Sequence, residues 1–400
     1  MSILKQINKG SKHLIKQINT SNVLKIIRDN KEISRAEISK LTGLTPATVS
    51  STAKRLIQMN LIKEKGSGSS SGGRRPILLE VNREGAYVIG LDMGTTKLRF
   101  GIIDLYGNIL KKDTKSFEET MTKDSMISFM KKSIYSLLSD EKIKIDKIVG
   151  IGIGVHGLVD SLNGVSLYAP AFGWRDLPIK EIFEKEFNVE VYIENDARVM
   201  AIGEKWFGNG KDINDFLFVN IGTGIGSGIY VDGSLYKGAS NGAGEIGHIS
   251  LEDRGICNCG NVGCLDALAS SGGIVKRFNA LKKNHGKKEY IIDTFDSKEV
   301  YNLALKKDDE AQIVMKETGI YIGKALSFIT NILNPKRIVI GGGVSEAWDI
   351  IYPEIEAQIR KGTLYHNREN LIVVKSKLGE ETGLIGAGTL VIKNLFDFVK

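Results

Sequence analysis

Three thiols and an imidazole fall within one short stretch of this chain. Cys257, Cys259 and Cys264, its only cysteines, lie within eight residues, and His248, one of five histidines, stands nine residues upstream. Three soft thiolates and one imidazole make a closed tetrahedral shell that suits Zn²⁺ and leaves no position open for a catalytic water. Gly260 and Gly263 let the backbone curl tightly enough for the sulfurs to converge. A cluster of small buried cysteines without a metal is the bland alternative. A disulfide is the other, but an odd cysteine count and no signal peptide favour a reducing cytoplasm. The spacing predicts a structural zinc knot. Glu245 stands three residues before His248 and Asp266 two after Cys264, so the metal would hold two carboxylates in a fixed relation.

Read as Glu245-Ile-Gly-His248 and Cys257-Asn-Cys259-Gly-Asn-Val-Gly-Cys264-Leu-Asp266, the stretch resembles the family of repressors, open reading frames and sugar kinases (ROK). That family carries Glu-x-Gly-His, then Cys-x-Cys-Gly-x-x-Gly-Cys-x-Glu. Every metal ligand matches, and Asp266 stands where the family usually has Glu. The resemblance implies that Glu245, His248 and Asp266 touch the hydroxyls of a sugar, the shorter Asp266 reaching less far.

The elements that must position these residues begin with a basic module. Residues 1–84 hold 16 Lys and Arg against 6 Asp and Glu, or +10; the other 316 hold 39 against 41, or −2. The net charge of +8 therefore belongs to one terminal module, which points to nucleic acid there. Hydrophobic residues make up 42% of the chain and charged ones 26%, with no apolar run of transmembrane length, so no membrane partner is expected.

Within the module, Val23, Leu24, Ile26 and Ile27 have helical spacing over Thr20–Asn30. Ser34-Arg-Ala-Glu37 is a capping box ahead of a short helix, Gly43 turns the chain, and Thr45-Pro46 starts a third helix. Val49, Ala53 and Leu56 form that helix's buried face; Ala47, Thr48, Ser50, Ser51 and Lys54 form the other. Small hydroxylated side chains let a helix enter a major groove and bond to bases or phosphates. A three-helix protein-binding module is the alternative, and the charge excess favours a helix-turn-helix. Two strands, Leu61–Lys65 and Pro76–Val81, then flank a Gly/Ser run ending in Arg74-Arg75. Alone that run would be a flexible linker; between strands it reads as a wing whose arginines meet phosphates or the minor groove. Its Gly-Gly-Arg-Arg-Pro ending resembles the wing of ROK repressors.

The body divides from this winged helix-turn-helix near residue 82, giving modules 1–82 and 83–400. It shows an internal echo. Tyr87–Gly107 reads as strand, Asp92-Met-Gly94-Thr-Thr96-Lys turn, strand and turn; Phe216–Gly233 repeats it around Gly222, Gly224 and Gly226. Glycine turns admit phosphate close to backbone N–H groups. The pair, with Ile338-Val-Ile-Gly341-Gly-Gly-Val344, is similar to the two phosphate hairpins and adenosine loop of actin-like sugar kinases, implying a two-lobed α/β body. Helices are expected over Ser125–Leu138, Gln312–Leu333 and Trp348–Lys361.

Strands Ile148–Val155 and Val189–Ile193 end in His156-Gly-Leu-Val-Asp160 and Glu194-Asn195-Asp196, at the edge where α/β proteins present site residues. Most ROK relatives have Pro where His156 stands. The resemblance implies that Asp196 takes a proton from a sugar hydroxyl in the kinases and that Asn195 holds another. Tyr168–Trp174 resembles a family loop over the sugar; Trp174 would cover a pyranose face or fill the core.

The family divides into kinases and repressors, so fold does not settle function. Residues 1–84 are superfluous to a kinase and favour a sugar-responsive repressor of the xylose-repressor type, dimeric on a pseudo-palindromic operator, with xylose the first guess and glucose the second. The alternative is an ATP- and Mg²⁺-dependent sugar kinase using Asp92, Gly94, Thr96, the three glycines and Asp196. Against it, Thr95 stands where kinases usually have Gly or Ala, and Ser227 where many have Gly. A protein-binding scaffold explains neither the acids nor the basic wing.

Overall fold

A computed structural model of the chain describes residues 3–67, 75–117, 121–286, 291–294 and 296–396. Helices Ile3–Asn30, Arg35–Thr42 and Pro46–Gln58 open it, followed by strands Ile62–Ser67 and Ile77–Val81. The first helix starts well before the expected Thr20. In the second, the Ser34 side chain accepts from the Glu37 N–H while the Glu37 carboxylate accepts from the Ser34 N–H at 2.9 Å, the reciprocal cap legible in the sequence. Gly43 ends it at φ 69°, in the left-handed region. Thr45 caps the third helix through the Thr48 N–H, with Pro46 just inside it. Val49, Ala53 and Leu56 are buried with Ile38, Val23, Leu24 and Ile27. A two-residue strand, Ile33–Ser34, pairs with Ile77–Val81 and makes the wing sheet three-stranded. It is too short to leave a period in the sequence.

The body holds two five-stranded sheets of one design. In the first, Tyr87–Met93, Lys97–Asp104 and Ile109–Ser116 form an antiparallel meander, then Ile148–Val155 and Val191–Asn195 add in parallel. In the second, Phe216–Ile221, Ile225–Val231 and Ser234–Tyr236 form the meander, and Arg337–Gly341 and Ile372–Lys375 add in parallel. Order and sense are identical, as the internal echo requires. The expected helices appear as Lys123–Asp140, Asp309–Leu333 and Trp348–Gly362.

Two further helices join the halves. Thr382–Phe396 packs on the first sheet and on Asp196–Phe207, which packs in turn on the second sheet. The approach is close enough to exclude side chains: a Cβ at Gly386 would lie 2.1 Å from the Val199 carbonyl oxygen, and one at Gly152 1.8 Å from that of Ala387. One apolar cluster runs from Val23, Leu24 and Ile27 of the first helix to Leu105, Ile392 and Phe396 of the body. At the same junction the Ser21 hydroxyl donates to the Phe396 carbonyl. The Arg28 guanidinium lies 4.6 Å from the Trp206 ring and 4.5 Å from the Phe396 ring, an aromatic enclosure for a cation.

Candidate functional site

His248 ends a short 3-10 turn, Ile246–His248, and Cys264 immediately precedes the helix Leu265–Ala269. Between them the loop closes through the paired bridges Ser250 with Cys264 and Ile256 with Val262. Gly260 and Gly263 take φ 92° and 74°, and a Cβ at Gly263 would strike the Glu252 carbonyl oxygen at 1.6 Å. Glycine is obligatory there. The four donor atoms lie within 4.8 Å of one another, with Cys257 Sγ 3.7 Å from His248 Nδ1 and Cys259 Sγ 3.7 Å from Cys264 Sγ. Ligands about 2.0–2.3 Å from a tetrahedral centre stand at such separations. Without a cation, burial and the neighbouring thiols push Cys264 up to about 12. The donor set and its spacing fit a metal ion.

Asp196 opens its helix at the edge of the first sheet. Its Oδ1 accepts from the Ala197 N–H and the Asn195 amide, each at 2.9 Å. Its Oδ2 faces His156 Nδ1 at 3.7 Å. Asn195 is turned to the protein: its amide also donates to the Gly157 carbonyl at 3.0 Å, and its oxygen accepts from the Arg198 N–H. It braces Asp196. Asp266, half-buried and raised in pKa by burial, accepts from the Ile225 N–H at 2.7 Å, which draws it to the glycine hairpin of the second lobe. Glu245 is exposed, and its charge, with those of Asp196 and Asp266, acts on His156. The imidazole of His156 thus lies beside Asp196 and within electrostatic reach of Glu245 and Asp266. Behind them buried Glu194 pairs with Arg198 at 3.3 Å and with Lys237 of the second lobe at 2.8 Å. Trp174 is 2% exposed and packs at a tilt against Phe172 with ring centres 4.9 Å apart, so it fills the core.

The two glycine hairpins face each other. Gly94 donates to Lys97 and Gly222 to Gly224, each at 3.0 Å, and the Phe117 N–H reaches the Thr96 carbonyl at 3.1 Å. Their tips meet across the lobes, Thr95 Oγ1 lying 3.4 Å from Thr223 Oγ1. A Cβ at Gly226 would stand 2.9 Å from that of Ala197, so this glycine serves packing. Asp92 is buried and pushed up to about 6 by desolvation; Arg99 opposes the shift from 3.3 Å and Asp196 adds to it. Arg99 escapes a reading of motifs, yet it is Asp92's cross-strand partner in the hairpin register, which was the signal available. The Asp92 carboxylate is thus already paired with Arg99, and Thr95 and Thr223 meet between the two hairpin tips.

On the third helix Ala47, Ser50, Ser51 and Lys54 are exposed along one stripe. Thr48 is half-buried, with its hydroxyl 2.9 Å from that of Thr45, where it supports the cap. Arg75 is exposed at the wing, and Arg74 lies outside the described residues. Replacing Lys54 and Arg75 together by Ala is expected to flatten the salt dependence of DNA binding by about one unit of log–log slope per lost phosphate contact. Binding isotherms from low to moderate salt check this; an unchanged slope would mean that neither residue touches phosphate.

Residues 88–394 match the family model described as the ROK family, and residues 17–63 match one described as winged helix-turn-helix DNA-binding. This chain belongs to the ROK family. The xylose repressor of Caldicellulosiruptor bescii is 32% identical over 395 residues, 97% of this chain and 99% of that protein. A crystal structure of a ROK family transcriptional regulator, described as a homolog of the E. coli MLC protein, superposes with TM-score 0.85 at 29% identity, over 96% of this chain and 98% of its own. A ROK family glucokinase from Streptomyces griseus, solved with glucose and AMPPNP, superposes with TM-score 0.69 at 27% identity, over 76% of this chain and 99% of its own. Three quarters of this ROK protein thus account for a whole kinase, and the winged helix is additional. Among the described residues, no helix is long and apolar enough to cross a membrane.

Proposed function

We propose that this ROK protein is a transcriptional repressor that holds operator DNA through residues 1–82 and is released when a monosaccharide, D-xylose first and D-glucose second, binds residues 83–400. One observation carries the reading. The helix that Asp196 opens carries Trp206 in its last turn, and Trp206 with Phe396 encloses Arg28 of the first DNA-binding helix. A ligand that moves Asp196 therefore acts on a rigid rod whose far end touches the DNA-binding module.

A sugar releases DNA only by binding the DNA-incompetent conformation more tightly than the competent one. Hydroxyls bridging Asp196 of one lobe to Glu245 and Asp266 of the other would draw the lobes together. In a homodimer on a pseudo-palindrome, half-sites lie roughly 34–36 Å apart, so a shift of a few ångströms misplaces one reading head. Zn²⁺ would be held by His248, Cys257, Cys259 and Cys264, and when bound it supplies a closed, purely structural cross-link. His248 and Cys264 then fix the turn that carries Glu245 and the helix that carries Asp266.

The kinase reading requires Asp196 as a free base and an open phosphate path. Here Asp196 faces an imidazole, Arg99 occupies Asp92, and Thr95 meets Thr223. Fluorescence anisotropy of operator DNA titrated with D-xylose, D-glucose and N-acetylglucosamine, run beside an ATP-turnover assay with the same sugars, tests both. Release by one sugar with no turnover is the expected result. Turnover of about 1–100 per second, the ordinary kinase range, with no effect on DNA would overturn the reading.

A further inference from the structure

We infer that His156 is a ligand-contacting residue which shares one sugar hydroxyl with Asp196 and sets which monosaccharide is accepted. The inference rests on the reading of this cleft as a monosaccharide site. Of the two Asp196 oxygens, Oδ1 is already taken by the Ala197 N–H and the Asn195 amide. Only Oδ2 remains for a ligand, and it is the oxygen that His156 faces at 3.7 Å. That distance exceeds a hydrogen bond, so both groups keep capacity for a third partner beside them. The imidazole is about one-third exposed (34%) and the Asp196 side chain 20%, which leaves both reachable from solvent.

The backbone holds the ring in place. His156 follows the buried strand Ile148–Val155, and Gly157 takes φ 95° with its carbonyl bonded to the Asn195 amide at 3.0 Å. A Cβ on Gly157 would lie 2.3 Å from the Tyr168 carbonyl oxygen, so the turn is wedged between two fixed segments. One of those segments braces Asp196 itself. The histidine and the aspartate are therefore positioned by the same amide.

A hydroxyl is at once donor and acceptor. Beside this pair it donates to Asp196 Oδ2 and accepts an N–H from His156, which fixes its direction in a way that carboxylates alone cannot. Asp196, and with it Glu245 and Asp266, raises the pKa of the ring against the opposing effect of burial, which favours the imidazole as a hydrogen-bond donor. A site built to bond a hydroxyl from both sides rejects an analogue lacking it, because its own polar groups are then left unpaired. The negative charge of Asp196, Glu245 and Asp266 acting on this position also selects a neutral polyol over a sugar acid or phosphate.

The test is calorimetry of D-xylose and its monodeoxy analogues on the full-length wild type, His156→Phe, His156→Asn and Asp196→Asn; if D-xylose proves silent, D-glucose and its monodeoxy analogues replace it. Operator affinity without sugar reports that each variant is folded. The wild type is expected to reject one deoxy analogue by about tenfold, the scale of one hydrogen bond. His156→Phe should weaken the parent sugar by about tenfold and erase most of that discrimination, while His156→Asn, whose amide donates, keeps much of both. A structural role alone would lower affinity for every analogue equally, and that result would overturn the inference. So would wild-type discrimination in His156→Phe. If Asp196→Asn is impaired while His156→Phe is not, only the histidine assignment falls; if neither is impaired, the sugar site itself falls.

Discussion

Cys259→Ser protein is expected to purify without zinc, against about one zinc per wild-type chain, and to stay on operator DNA at sugar concentrations that release the wild type. Cys259 is the exposed one of the three thiols, so the substitution disturbs packing least among them while removing one bond from a closed shell. Three remaining ligands hold a structural zinc poorly, and binding energy at such sites is folding energy. The loss falls on the cleft. Glu245 heads the turn that ends in His248, and Asp266 sits two residues after Cys264. With the cross-link gone, the two segments are joined mainly by backbone contacts such as Leu265 N–H to the Ile249 carbonyl at 2.9 Å and Leu251 N–H to that of Gly263 at 2.8 Å. Metal analysis by mass spectrometry and a sugar titration on the same sample decide the matter. Full sugar affinity in a metal-free variant would show that the knot does not organise the site.

Asp196→Asn should bind operator normally and need at least tenfold more sugar for release. The substitution conserves volume and keeps an oxygen able to accept from the Ala197 N–H, so the helix start survives. What it removes is the charge at Oδ2. A hydrogen bond to a charged group contributes about 1.5–3 kcal/mol, and each 1.4 kcal/mol is about tenfold in affinity. Loss of a negative charge in the first helical turn costs a further few tenths, roughly 0.3–1 kcal/mol, which lowers stability without touching the operator. Glu245→Gln should shift the release midpoint in the same direction. Operator binding titrated with inducer, for wild type and Asp196→Asn side by side, is the measurement; coincident midpoints would remove Asp196 from the ligand's contacts.

Local chemistry explains which parts of the architecture were legible in the sequence. The caps at Ser34 and Thr45 and the turn at Gly43 each write a short signature, and each appears in the structure. The cluster of His248, Cys257, Cys259 and Cys264 was legible because thiols and imidazoles are rare residue types at such close spacing. The helix Thr382–Phe396 left no comparable mark. Gly383, Gly386 and Gly388 lower its helical propensity, and they are there because the helix presses against strands and another helix: a Cβ at Gly383 would stand 2.3 Å from the Asp92 carboxylate. Tertiary packing overrides the local preference. Trp174 shows the converse limit, since an indole suits a sugar face and a core equally, and only the burial separates them. Asn195 and Arg99 needed register. Nothing in their neighbours tells that one amide braces Asp196 or that a guanidinium stands opposite Asp92.

The aromatic enclosure of Arg28 has a consequence for how these genes are read. Trp206 and Phe396 belong to the body, yet their rings are covered by a side chain of the winged module. A body that stands alone would present the same faces to water, where contiguous apolar surface invites association. Selection should therefore keep large rings at these two positions in fused chains and replace them by polar residues in free-standing ones.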